Sequence, residues 1–276
     1  MKKSELKLRA KILLYGSLFG TILSVASCKE KGDNTKSDDY LYQYSIIDAL
    51  LAGVYDGDLT FRELKKKGDF GIGTFNHLDG ELLINNGIVY KIRYDGSVEI
   101  VPDQDTTSIA FVKKFVPDTV FMLDSPVRLD FEQLKRHIAE RLDANQMFAI
   151  RLTGAFHQMK TRAPAPAEKP YPPLVEHLKG NQYEFDLQTT AGTAIGFYLP
   201  PYISGINVPG FHFHFIDHDQ SEGGHILDFS VEDIKIEVDR ASGLVVETID
   251  SGDFEKANFE TDREAELRSV ESGGVK

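Results

Sequence analysis

After residue 69 the chain is written mostly in short apolar runs broken by polar turns. "FGIGTF" (70–75), "ELLINNGIVYKIR" (81–93), "SVEIVP" (97–102) and "SIAFVKKF" (108–115) have the length and content of strands. Asn85-Asn86-Gly87 inside the second of them predicts a hairpin turn. Helical spacing is found in three places. "YSIIDALLAGVYDG" (44–57) has Ser45 as a cap, and "TFRELKKKG" (60–68) has a capping box of Thr60 with Glu63 and a closing Gly68. In "FEQLKRHIAERL" (131–142), Phe131, Leu134, Ile138 and Leu142 form one apolar face.

"MFAIRLTGAFHQMKTR" (147–162) precedes "APAPAEKPYPPL" (163–174), whose five prolines require a loop or an extended connection. "YEFDLQTTAGTAIGFYLP", "GFHFHFID", "HILDFS", "IKIEVD" and "LVVETI" then supply further strands. The pattern predicts a strand-rich α+β fold of two sheet-based halves, with a sub-boundary near 163–174.

The N-terminus follows different rules. Five basic residues between Lys2 and Lys11 lead into "ILLYGSLFGTILSVA", too short to span a hydrocarbon core of about 30 Å comfortably. A basic start, a short apolar run and small residues describe an export signal. Val25-Ala26-Ser27-Cys28 resembles the lipobox of a bacterial lipoprotein, which implies cleavage before Cys28 and lipidation of that residue. A plain secretory signal with an accidental Cys is the alternative. The expected organisation is a signal peptide at 1–27, a polar tether at 28–40 and a folded domain at 41–276. The mature protein would be exported and anchored to a membrane by its lipidated N-terminus, on the periplasmic or the cell-surface side.

Charge narrows the partners. The full chain carries a formal charge of −12, and losing five basic residues and one acidic residue with the leader takes it to −16. A nucleic-acid backbone would be repelled. Cys28 is the sole cysteine, so there is no internal disulfide and no thiolate metal ligand in the domain.

Metal chemistry therefore falls to histidine and carboxylate, and "GFHFHFIDHDQSEGGHILDF" (210–229) holds four of the eight histidines. On a strand, His212 and His214 share one face while Phe211, Phe213 and Phe215 take the other. If His214 pairs with His225 across the following turn, residue 212 pairs with 227 and the loop centres on Asp219-Gln220. Three imidazoles then converge on one point, as in a zinc site with an open position, with Mn, Fe, Co and Ni as alternatives. The site is expected in the cleft between the two halves. His218, in the turn, reads as solvated. A cupin would need a glutamate four or five positions after the second histidine, whereas Glu222 follows by eight.

"GTFNHLDGELL", "KTRAPAPAEKPYPPL", "GTAIGFYLPPYISGINVPGFHFHFI" and "GGHILDF" together resemble the α-acetolactate decarboxylase family, in its order and spacing, from about residue 43 onward. The resemblance implies zinc on His212, His214 and His225, with Glu81, Arg162 and a C-terminal glutamate around it. Glu271 is the best positional match for that glutamate, and Glu264 and Glu266 are alternatives. Thr74 and Leu78 match positions that line the family's pocket. The implied activity is that of a carboxy-lyase of acetoin biosynthesis, turning 2-acetolactate into (R)-acetoin and CO2, commonly as a homodimer. The competing reading is a non-enzymatic exported lipoprotein of the same fold that binds a metal or a small hydroxy acid.

Overall fold

A computed structural model describes residues 39–275. The expected signal peptide at 1–27, the anchor Cys28 and the tether up to residue 38 lie outside the described residues.

The described chain is built on two sheets. The first contains β1 (Tyr40–Tyr44), β2 (Leu59–Thr60), β3 (Phe70–Phe75), β4 (Glu81–Asn85), β5 (Ile88–Ile92), β6 (Val98–Ile100) and β7 (Thr106–Lys113). The second contains β8 (Thr119–Asp130), β9 (Met147–Pro164), β10 (Gln182–Asp186), β11 (Thr190–Leu199), β12 (Gly210–Asp217) and β13 (Gly223–Ala241), after which β14 (Gly243–Glu247) rejoins the first. The first sheet runs β14-β1-β7-β3-β4-β5-β6, with β2 on β7; the second runs β10-β9-β11-β12-β13-β8. An additional β9–β13 pairing closes β9, β11, β12 and β13 into a ring. Among the described residues the α-helices are α1 (Ile47–Leu51), α2 (Phe61–Lys67), α3 (Phe131–Ala139), α4 (Leu174–Leu178), α5 (Gly252–Lys256) and α6 (Glu264–Glu271).

Side-chain alternation divides the core into three layers. Ile72, Leu83 and Phe111 of the first sheet meet Ile195, Phe197 and Ile216 of the second between the sheets. On the far side of the first sheet, Leu82, Ile84, Ala110 and Val112 pack with Phe61 and Leu64 of α2. On the far side of the second, Phe213, Phe215 and Phe229 pack with Phe131, Leu134 and Ile138 of α3. The α+β, two-sheet expectation therefore holds.

Local signals account for several elements. Thr60 caps α2 by accepting from the Glu63 amide, and Asp130 forms a reciprocal capping box with Gln133 at α3. Asn86 and Gly87 both have positive φ, the tight hairpin geometry that the Asn-Gly pair favours.

Other elements depart from the sequence pattern. The helix expected over 44–57 forms but is confined to Ile47–Leu51: Tyr44 is the last residue of β1, and Gly53 at φ 95 follows the helix. Tyr40–Tyr44 is taken up by pairing with β14 and β7, and Ser45, the expected cap, sits at φ 67 between strand and helix. β8 has no counterpart among the expected strands, because its polar alternation and Pro126 suit only a sheet edge, which is where it lies. The chain crosses between sheets at residues 114–118, while the proline-rich stretch leads from β9 to α4.

Candidate active site

β12 carries the central pair of imidazoles. Its odd face buries Phe213 and Phe215, so His212 and His214 point into the layer between the sheets. The expected register is present at its key position: His214 pairs with His225. Pairing of 212 with 227 does not occur, because after His225 the strand leaves β12 and pairs with β9. Asp217 closes the intervening turn by accepting from the Ser221 and Glu222 amides. On its other side His225 is the partner of Arg162. Side chains opposite one another in an antiparallel pair share a face, so Arg162 joins the histidines.

The first sheet supplies the opposite wall. Thr74 and Glu81 are partners across β3 and β4, on the same face as Ile72 and Leu83. Between these strands the chain turns through His77 and Leu78, both at positive φ, and the Thr74 hydroxyl donates to the Gly80 carbonyl at 2.7 Å. Leu78 is thereby set into the cleft beside Glu81. Strain of this kind is typical of segments whose shape is imposed by the surrounding fold.

α6 closes the third side. Buried Leu267 and Val270 hold it on the inter-sheet core, and Glu271 at its last turn reaches 3.8 Å from Nε2 of both His212 and His225. Glu264 and Glu266 point elsewhere, to Arg268 and Arg263. Glu81 lies 3.5 Å from His214 Nε2. Thr74, Leu78, Glu81, Arg162, the three histidines and Glu271 thus meet in one cleft, while the alternatives Glu264 and Glu266 do not. Its apolar wall of Ile47, Leu50, Phe111, Leu174, Leu178 and Val270 carried no sequence signal, since each reads as ordinary core.

The three imidazoles offer ring nitrogens that all lie within 4.8 Å of one another. His212 Nε2 and His225 Nδ1 are 3.1 Å apart, close to the ~3.3 Å that separates two nitrogens on one tetrahedral zinc. His214 Nδ1 donates to the Leu82 carbonyl at 2.8 Å, which leaves Nε2 as its lone-pair nitrogen. Buried His212 Nδ1 has no partner among the described residues.

Electrostatics favour neutral rings. Burial, reinforced by Arg162, pushes His212 down to about 3. Burial holds His214 and His225 well below the usual range, with contributions from His212 and Arg162. Neutral imidazoles are the metal-binding form, so the donor set fits a divalent transition metal. Burial also raises the carboxyls. Glu81 is pushed up to about 8, with Arg162 lowering it and Glu271 raising it, and Glu271 is pushed up to about 7 against the pull of Arg162. Arg162 Nη1 donates to Gln182 Oε1 at 3.0 Å.

The sequence profile of the family described as "Alpha-acetolactate decarboxylase" matches residues 41–261, a span that holds every cleft residue named above except Val270 and Glu271. An alpha-acetolactate decarboxylase of Bacillus licheniformis is 38% identical over 226 residues, 81% of this chain and 88% of that protein. One of Methanosarcina mazei is 39% identical over 239 residues, 86% of this chain and 82% of that protein. The crystal structure of alpha-acetolactate decarboxylase from Bacillus subtilis strain 168 matches with a TM-score of 0.81 at 36% identity, over 84% of this chain and 99% of that one.

Proposed function

The chain belongs to the alpha-acetolactate decarboxylase family and is a carboxy-lyase, and on that premise we propose that it converts 2-acetolactate to acetoin and CO2 in this cleft, with zinc held by His212, His214 and His225. The observation that carries the reading is the convergence of three imidazoles, those of His214 and His225 buried and that of His212 half-buried, with Glu81, Glu271 and Arg162 around one point. Zinc there would act as a Lewis acid toward the substrate's hydroxyl and ketone oxygens, where negative charge develops as the carbon–carbon bond breaks.

The remaining work falls to the chain's own groups. Arg162 presents a planar fork suited to the substrate carboxylate. The wall of Leu78, Leu174, Leu178 and Val270 excludes water, which strengthens every charge interaction in the cleft. Loss of CO2 leaves a carbon that must take a proton. Glu81 and Glu271, both raised by burial, are placed to hold that proton and to orient the substrate's hydroxyl and ketone.

The anchoring of the mature chain by a lipidated Cys28 and its export remain part of this proposal on sequence grounds, and a homodimeric state on the family resemblance alone. The test is acetoin formation from racemic 2-acetolactate by the purified protein, before and after chelation, with metal content measured in parallel. Turnover above the spontaneous rate, lost with the metal and restored by zinc, supports the reading. A stoichiometric metal without acetoin removes the decarboxylase and favours a binding protein of the same fold.

A further inference from the structure

Arg162 is the only Lys or Arg among the described residues that line the cleft, and one side chain sets its attitude. Gln182 is the first residue of β10, where it pairs with Pro164, two positions beyond Arg162 on β9. Its Oε1 accepts from Arg162 Nη1 at 3.0 Å. A guanidinium only donates, so chemistry alone requires the amide oxygen to face it. Arg162 Nε, by contrast, is buried with no hydrogen-bond partner among the described residues. A buried donor left open in this way is costly unless a ligand satisfies it.

The neutrality of the partner matters as much as its position. Glu184, the residue directly opposite Arg162, spends its carboxylate on Lys160 at 2.8 Å. The acceptor that does reach Arg162 is an uncharged amide, so this hydrogen bond orients the guanidinium without itself adding a neutralising charge. An arginine held by a carboxylate would keep its direction but lose most of its attraction for an anion.

We propose that Gln182 is a positioning residue that ties Arg162 Nη1, turns the Nε edge of the guanidinium into the cleft, and so builds the seat for a substrate carboxylate. The inference rests on the reading of the cleft as the place where an anionic hydroxy-keto acid binds. It goes beyond that reading in assigning the selection for the anion to a residue of β10 outside the cleft lining.

The test uses the zinc-loaded full chain and two competing ligands. One is 2-hydroxy-2-methylpropanoate, a hydroxy acid with a carboxylate; the other is acetoin, a hydroxyketone without one. In Gln182→Leu the carboxylate ligand should bind roughly tenfold more weakly or worse, with acetoin binding unchanged and KM for acetolactate rising more than kcat falls. Gln182→Glu keeps shape and acceptor but adds charge, and should weaken the carboxylate ligand at least as much, again sparing acetoin. In an Arg162→Ala background, Gln182→Leu should add nothing further. Equal weakening of both ligands, an unchanged carboxylate affinity, or a further loss without Arg162 would overturn the assignment. A wild-type protein that makes no acetoin yet binds the carboxylate ligand in this Gln182-dependent way would end the proposed activity and leave the positioning role standing. Full acetoin production with an unmoved ligand ratio would do the reverse.

Discussion

Arg162 and His225 stand directly opposite one another across β9 and β13, and His225 in turn stands opposite His214 across β12 and β13. Two strand registers therefore put a fixed cation beside a cluster of neutral imidazoles. The arrangement suits an anion whose other end is held by a metal. The predictions that follow each disturb one part of it.

Replacing His214 by Ala removes a cleft ring whose tautomer is set by the main-chain carbonyl of Leu82. Metal content should fall from stoichiometric to background and acetoin formation to the spontaneous rate. A variant that keeps both zinc and normal turnover contradicts the ligand assignment.

Glu81→Gln and Glu271→Gln keep the shape of each side chain and remove its proton exchange. Each should lower kcat by about 10²–10⁴-fold while metal stays bound, as expected for loss of a general acid–base group. Steady-state rates with metal analysis on the same samples decide the matter. A loss of less than about twofold in either variant excludes that glutamate from proton handling.

Gly196 faces the strand that carries the histidines. A Cβ there would lie 2.0 Å from the His212 carbonyl oxygen, which belongs to the backbone and cannot swing away. Gly196→Ala should cost about 1–3 kcal/mol or more through forced separation of β11 and β12, and should weaken metal retention by shifting His212. Denaturant unfolding and a zinc titration read the two effects. An unchanged midpoint with unchanged zinc affinity would show that the strands accommodate the methyl group.

Glu237, which does not line the cleft, offers a test of acid stability. Burial raises its carboxyl, but hydrogen bonds from Arg151 and Lys235 outweigh that and the net shift is downward. A carboxylate with a lowered folded pKa stabilises fully above its unfolded value, 4.5 here, and loses that contribution as pH falls through the folded value. Glu237→Gln should therefore be less stable than wild type at pH 7, with the gap narrowing once the pH drops below about 4.5. A gap that stays constant down to strongly acidic pH counts against this linkage.

Cys28→Ala addresses the proposed anchor. In the native host it should release the protein from membranes without changing turnover. Retention of that variant, with its leader uncleaved, would locate the anchor in the leader itself.

Much of the site was legible because it is written in local spacing. The histidine–Phe alternation fixed the faces of β12, and one pairing, His214 with His225, brought the third imidazole into place. Arg162 and Glu81 had no such signature: one is a charge within an 18-residue strand, the other opens a strand, and only family resemblance singled them out. Gln182 was silent for a different reason. Its partner lies across a strand pair that the proline-rich stretch between them conceals. At 44–57 the helical spacing was sound but ran past the helix, which ends at Leu51 just before Gly53 takes a positive φ. β8 was missed because an edge strand need not be apolar.

The ring closure at His225 also sets a condition on metal binding. The cleft draws on β4, β9, β12, β13 and α6, so its parts come from distant stretches of the chain, and such long-range pairings form late. A cation that needs all three imidazoles would recognise only molecules whose ring has already shut, and by mass action it would hold them there. A chain threaded unfolded across a membrane would then carry no metal with it. The ion in the finished protein would be a record of the compartment where the last strand came home.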